Sequence, residues 1–241
     1  MKSFKTIIAA LFAAGALLQA APAVCAEKMA AMVVFVAGDV QVKRAGAQEL
    51  VALKVNDALY GGDSVKTAVG AKASLVSKTG AEIRVNENTT FDVPGKGEKP
   101  NTFSLMAGQV WSRMLHKMAK LNVRTPSAVC AIRGTEADIE QKDIMTVKVY
   151  EGHVDLTNSA GKQSLKAGEI STVSGAGGPT APRVMSSAEK GSWQDGIDVK
   201  DIGKYLDKMG LSADGDKKLK LKVDKDGKAK DVEVKLKKKG K

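Results

Sequence analysis

Histidine and cysteine are nearly missing from this chain, with two of each in 241 residues. No Cys-x-x-Cys or His-x-x-x-His pair occurs, so the usual zinc ligand sets have nothing to build on. A Gly-x-Ser-x-Gly elbow and a phosphate-cradling glycine loop are missing as well. These absences remove the enzyme classes that carry short signatures. Paired carboxylates for glycoside hydrolysis have no such signature, because the distance that matters is spatial. The expectation is a chain without catalysis, cofactor or metal. Aromatic residues make up only 4% and are sparse near the basic C-terminus, which argues against nucleic acid held by base stacking.

Long apolar runs are confined to the N-terminus. Lys2 and Lys5 precede an apolar core from Ile7 to Leu18, and small residues end at Val24-Cys25-Ala26. This predicts a secretory signal peptide over 1–26, cut after Ala26. Its core is short for a bilayer span, and no second stretch of spanning length follows. The expected location is periplasmic or secreted. Lipid anchoring at Cys25 is disfavoured, since Val24 is not the small residue a lipobox needs. Without Cys25 only Cys130 remains, which leaves no intramolecular disulfide. Cys130 lies in an apolar run, Ala128 to Ile132, where a free cysteine packs as a small hydrophobe. That run is predicted to be a strand buried on both faces or nearly so.

Lysine is concentrated in one place. The formal charge is +11, but residues 217–241 hold twelve lysines against Asp224, Asp226, Asp231 and Glu233. The high pI therefore belongs to a tail, and residues 27–216 are close to neutral.

Short runs rich in β-branched residues fill the body. They fall at Val33–Val36, Ser64–Thr67, Ala73–Ser77, Glu82–Val85, Thr89–Val93, Thr102–Leu105, Gln109–Met114, Leu121–Arg124, Thr135–Glu140, Thr146–Val149, Val154–Thr157 and Glu169–Val173. Glycine, asparagine or proline separates nearly all of them, the pattern of an all-β domain. A unit of glycine, a polar residue and a β-branched residue recurs at Gly38-Asp39-Val40, Gly108-Gln109-Val110, Gly152-His153-Val154 and Gly168-Glu169-Ile170. Its spacing is irregular, so no solenoid is implied; the unit reads as a device that starts strands. The predicted architecture is a compact sandwich or irregular β-roll of short strands. Trp111 is expected to anchor its core, on a strand carrying apolar residues on both faces.

Val123-Arg124-Thr125-Pro126-Ser127-Ala128 followed by Arg133-Gly134-Thr135-Glu136 carries a resemblance. With Gly62-Asp63-Ser64-Val65-Lys66-Thr67, Asn88-Thr89-Thr90-Phe91, Leu105 through Val110, Tyr150-Glu151-Gly152-His153-Val154 and Ala167-Gly168-Glu169, in that order, it resembles the FecR domain, a bacterial cell-envelope β-domain. The matching pieces run from about Met32 to Val173. The resemblance implies a binding or signalling role. Regulators of this family sense an outer-membrane receptor and control a sigma factor through a cytoplasmic segment and a membrane anchor. Here a signal peptide stands where those parts would be, so the expectation is the sensing or scaffolding half alone. Arg133 at the mouth of its strand is either an ion-pair partner or a recognition group; Trp111, Thr135 and Glu136 join it as candidate partner-binding residues.

The domain organisation expected is a signal at 1–26, the FecR-like β-domain at 27–173, a Gly/Pro-rich linker at 174–185 and a C-terminal segment at 186–241. In the last, Ser186-Ser187 offers an N-cap and a helical stretch reaches toward Met209, interrupted near Asp195-Gly196. Leu219–Val223 and Val232–Leu236 alternate around an Asp226-Gly227 turn, predicting a basic hairpin. Its Asp-Lys-Asp-Gly lacks the ligands of a calcium loop. Function is expected to be an envelope protein interaction. The alternative is binding of a polyanion (envelope glycan, lipopolysaccharide or lipid head group) through Lys220, Lys222, Lys235, Lys237, Lys238 and Lys239, and against it stands the reading that these lysines only solubilise the hairpin.

Overall fold

The computed structural model describes residues 28–116, 119–211, 217–225 and 228–236. The predicted signal peptide and Lys237, Lys238 and Lys239 fall outside them. The strands are β1 (Ala31–Ala37), β2 (Val40–Lys43), β3 (Leu50–Ala52), β4 (Ala58–Leu59), β5 (Ser64–Thr67), β6 (Lys72–Ser77), β7 (Ala81–Val85), β8 (Thr90–Asp92), β9 (Thr102–Met114), β10 (Lys120–Arg124), β11 (Val129–Gln141), β12 (Ile144–Asn158), β13 (Gly161–Lys166), β14 (Glu169–Ser174) and β15 (Arg183–Val184). The only α-helix among the described residues, α1 (Ile202–Lys208), comes late, and β16 (Lys217–Lys225) and β17 (Lys228–Leu236) pair with each other. The chain is all-β, as its composition predicts.

The first fifteen strands belong to one sheet, and its register shows how it folds over. Three long strands change neighbours half-way. The first part of β9 pairs with β8 and β10, the second with β7 and β11. β11 pairs with β10 up to Arg133 and with β9 from Glu136. β12 pairs with β14 over Ile144–Lys148 and with β13 over His153–Asn158. Two layers result. Layer A carries β14, β12, β11, β9, β7, β6 and β1; layer B carries β13, β12, β11, β10, β9, β8, β5 and β2. One apolar core lies between them, with Val33, Leu75, Ile83, Val110, Ile139 and Val147 from layer A meeting Val65, Phe91, Leu121, Cys130, Ile132 and Val154 from layer B. Phe91 and Phe103 stack there at 5.5 Å.

The bends sit on glycines. Gly108 has φ +96° and Gly152 φ +71°, conformations that glycine alone takes without strain. A Cβ at Gly108 would fall 2.3 Å from Thr89 Oγ1, and one at Gly152 2.5 Å from the carbonyl oxygen of Gly134. The recurring glycine unit thus marks points where the chain crosses between layers. At Gly38 and Gly168 it precedes a new strand, as expected, but at Gly108 and Gly152 the strand continues through a corner. The half of β11 around Cys130 also departs from expectation. Cys130 and Ile132 are buried while Val129 is exposed, so this half is buried on one face only. Burial pushes the Cys130 thiol far above its usual range.

The C-terminal segment forms 3-10 turns at Ser187–Glu189 and Trp193–Gly196 before α1, so helix is shorter than the Ser186–Met209 spacing suggests. Leu206 and Met209 pack on Val34 and Val76 from the outer side of layer A. This segment is a strap across that face.

Candidate interaction site

Strand alternation places every second residue of layer A outside. Register then lines these residues up across strands: Ser74, Arg84, Trp111, Asp138 and Lys148 in one row, and Val76, Glu82, Arg113 and Glu136 in the next. Charges alternate along both rows, which is the stabilising order for cross-strand neighbours.

Glu82 is fully buried. One of its oxygens accepts from Arg84 Nε at 2.7 Å and the other from Arg113 Nη2 at 2.6 Å, with Ser74 Oγ donating at 3.3 Å. Such a buried carboxylate is tolerable because both oxygens are satisfied. The two guanidinium groups lie 4.6 Å and 5.6 Å from the ring centre of Trp111, a double cation–π arrangement. Trp111 Nε1 donates to Glu136 Oε1 at 3.0 Å. Trp111 is therefore buried, but on the outer face of the sheet and not in the inter-layer core. The expectation that it anchors that core is corrected: the alternation put Trp111 and Arg113 on one side, and the core took the side of Val110 and Ser112.

Asp138 lies beside this cluster, also buried. It accepts from Gln109 Nε2 at 2.8 and 3.0 Å and from Trp193 Nε1 of the strap at 2.8 Å. Burial raises its pKa above the ordinary carboxylate value, opposed by those hydrogen bonds. Tyr150 Oη accepts from the Gly191 N–H, and its pKa is pushed up to about 12 by burial and the nearby Asp138 charge. Lys72 Nζ donates to the Trp193 carbonyl at 2.9 Å and Arg84 Nη1 to that of Gln194 at 2.5 Å. Upstream, Arg183 forks onto Glu189, holding its carboxyl well below the usual range with the help of Ser186.

The four candidate partner-binding residues separate. Trp111 and Glu136 are joined in the cluster. Thr135 is buried, its Oγ1 2.5 Å from the Arg133 carbonyl and 2.8 Å from that of His153, where it pins the β11 corner. Arg133 is exposed on the outer face of layer B and makes no ion pair among the described residues.

Residues 63–155 match the family model described as FecR protein. They are the FecR-like part of the chain. The matched span is narrower than the resemblance read from Met32 to Val173, but it contains Glu82, Arg84, Trp111, Arg113, Glu136 and Asp138; the strap lies beyond it. Two crystal structures of candidate anti-sigma factors from Parabacteroides distasonis are similar to the chain at 15% identity, with TM-scores of 0.48 and 0.47. Both cover 61% of this chain, and 74% and 73% of their own. No curated protein matches.

Sequence reasoning missed Glu82, Arg84, Arg113, Asp138 and Trp193. The signal was available in Glu82-x-Arg84, Trp111-x-Arg113 and Glu136-x-Asp138, three spacings of two on neighbouring strands. What joins them is register between segments far apart in sequence. A polar cleft of about 580 Å³ at the Gly108 corner is lined by Asn86, Glu87, Gln109 and Glu140, with Lys142 closing on Glu140 at 2.5 Å. Among the described residues no three His, Cys, Asp or Glu side chains cluster as metal ligands, and no helix is long and apolar enough to cross a membrane. In the β16–β17 hairpin, Lys220 stands opposite Glu233, Lys222 opposite Asp231 and Lys235 opposite Lys218.

Proposed function

We propose that the chain is an exported, non-catalytic protein-interaction module of the cell envelope, holding the signalling or scaffolding part of a FecR-type role. The observation that carries this reading is the prebuilt Arg84–Trp111–Arg113 sandwich on Glu82, tied to the strap through the Gln194 carbonyl, with Trp193 on the neighbouring Asp138. Tryptophan, tyrosine and arginine are the residues that dominate binding energy at protein interfaces, and they do so when held rigid and desolvated. Arg113 is 45% exposed on its side chain, so the cluster reaches the surface beside the strap. The reading in which the lysine tail binds a polyanion has less support, because two of its lysines stand opposite acids in register.

The test places a photo-crosslinking residue at position 113, and separately at Lys66 on layer B, in the full chain in its native envelope. One protein adduct specific to position 113, and lost in Trp193→Ala, is expected. Adducts of equal yield at both positions, or none at 113, would overturn the assignment.

A further inference from the structure

The outer face of layer B carries an arrangement that the protein-interaction reading does not use. Lys120 of β10 pairs in register with Arg133 of β11, Arg133 with His153 of β12, and His153 with Lys166 of β13. The row beside it, Leu121, Ile132, Val154 and Leu165, is fully buried in the core. Alternation therefore turns the basic row outward, and all four residues are exposed. Like charges directly opposite one another destabilise a sheet. The usual remedies are missing here: Lys120, Arg133 and Lys166 form no ion pair among the described residues, unlike Arg124, which meets Glu98, and Lys162, which meets Asp155. The acids nearest in the fold are engaged elsewhere or lie at its margins. Asp155, one row away, is held by Ser164 and Lys162, and Glu169 accepts from the backbone N–H of Lys166. Glu151 is exposed near the β12 corner.

We infer that this row is a binding stripe for a linear anionic polysaccharide lying across the strands. Neighbouring strands are about 4.8 Å apart, so four positions span about 14 Å, with Lys120, Arg133 and Lys166 as the cations and the His153 imidazole between two of them. A chain of sugar rings with one carboxylate or phosphate per ring repeats at nearly that interval. An extended acidic peptide does not: its same-side residues recur at about 6.6 Å, and its backbone has no sheet edge to pair with on this face. The next outward row supplies polar groups for ring hydroxyls, with Asn122 Nδ2 donating to Thr102 Oγ1 at 3.3 Å and Ser164 bonded to Asp155. No large exposed apolar side chain lies in either row to anchor a protein partner. Lys120, Arg133 and His153 lie within the FecR match and Lys166 beyond it, and the stripe owes nothing to the lysine tail.

The experiment titrates the full-length chain with di-, tetra- and octagalacturonate, and with methyl-esterified octagalacturonate as the uncharged control. Affinity should rise from the dimer to the tetramer, level off by the octamer, and vanish on esterification. Arg133→Gln and Lys166→Gln should each weaken tetramer binding about two- to fivefold and together roughly tenfold, as exposed ion pairs do. The melting midpoint should hold or rise, since like-charge repulsion is relieved. Lys220→Gln with Lys235→Gln should leave binding unchanged. Absence of binding, equal affinity for dimer and octamer, retention of the esterified chain, or loss through the hairpin pair instead would each overturn the proposal.

Discussion

The two outer faces of this sandwich are made largely from the same three strands, yet they are built in opposite ways. On layer A, β9 and β11 contribute Trp111, Arg113, Glu136 and Asp138, with charge alternating from strand to strand and the strap laid over them. On layer B, β11 and β12 contribute Arg133 and His153 to a row that holds no acid and that nothing described covers. The difference shows what the core leaves free. Packing dictates only the inward residues, and the outward ones are constrained by one another. A row of alternating charges can be buried because each member satisfies the next; a row of like charges has to stay wet.

The comparison can be broken most forcefully at the corners that separate the faces. Gly152→Ala would have to shift the backbone, because its Cβ meets the Gly134 carbonyl while φ is positive. A loss of about 3 kcal/mol or more in denaturant unfolding is expected, against about 1 kcal/mol for Gly134→Ala, where the same conformation opens onto free space. Equal losses would mean that the close approach at Gly152 is slack. Next in size is Glu82→Ala on the covered face. It leaves the largely buried Arg84 without its partner and should cost about 3 kcal/mol. Tryptophan emission should shift to the red as the sandwich around Trp111 loosens; an unchanged spectrum would detach Glu82 from that ring.

The smallest effect sharpens the link between strap and sheet. The folded-state pKa of Asp138 is raised, so the native protein holds this proton more tightly than the unfolded chain. Its contribution is therefore most favourable below the ordinary carboxylate value of about 3.9 and is lost as pH climbs toward the raised value. Asp138→Asn should remove that slope, so the stability difference between variant and parent grows in the variant's favour from about pH 4 upward. A difference that stays flat with pH would show that the Trp193 and Gln109 hydrogen bonds cancel the cost of burial.

Most strands were legible because alternation is a local property. Ser64–Thr67 is the observed β5, and Glu82–Val85, Leu121–Arg124 and Glu169–Val173 each fall within a residue of the observed strand. The short edges β3, β4 and β15, with three residues or fewer, had no run long enough to read. β9, β11 and β12 were each read as two strands, since glycine normally ends one. The burial of Cys130 and of Trp111 was legible; the side on which Trp111 is buried was not, because it depends on what lies over layer A. Thr135, a candidate partner-binding residue in the sequence, pins the β11 corner. Arg133 stood open between two readings, and only register brought it beside Lys120, His153 and Lys166.

The three corners have one more property in common. Leu105 and Val110, Ile132 and Ala137, and Val149 and Val154 all face the core, and each pair is separated by five positions, an odd step where straight alternation would need an even one. Each corner therefore absorbs a single residue and resets the parity of its strand. Length changes in such a chain should be governed by counting: within a layer, residues can be gained or lost only in pairs without turning a face inside out. Homologous domains that differ by one residue should carry the difference at these glycines, where a change of phase is already built in.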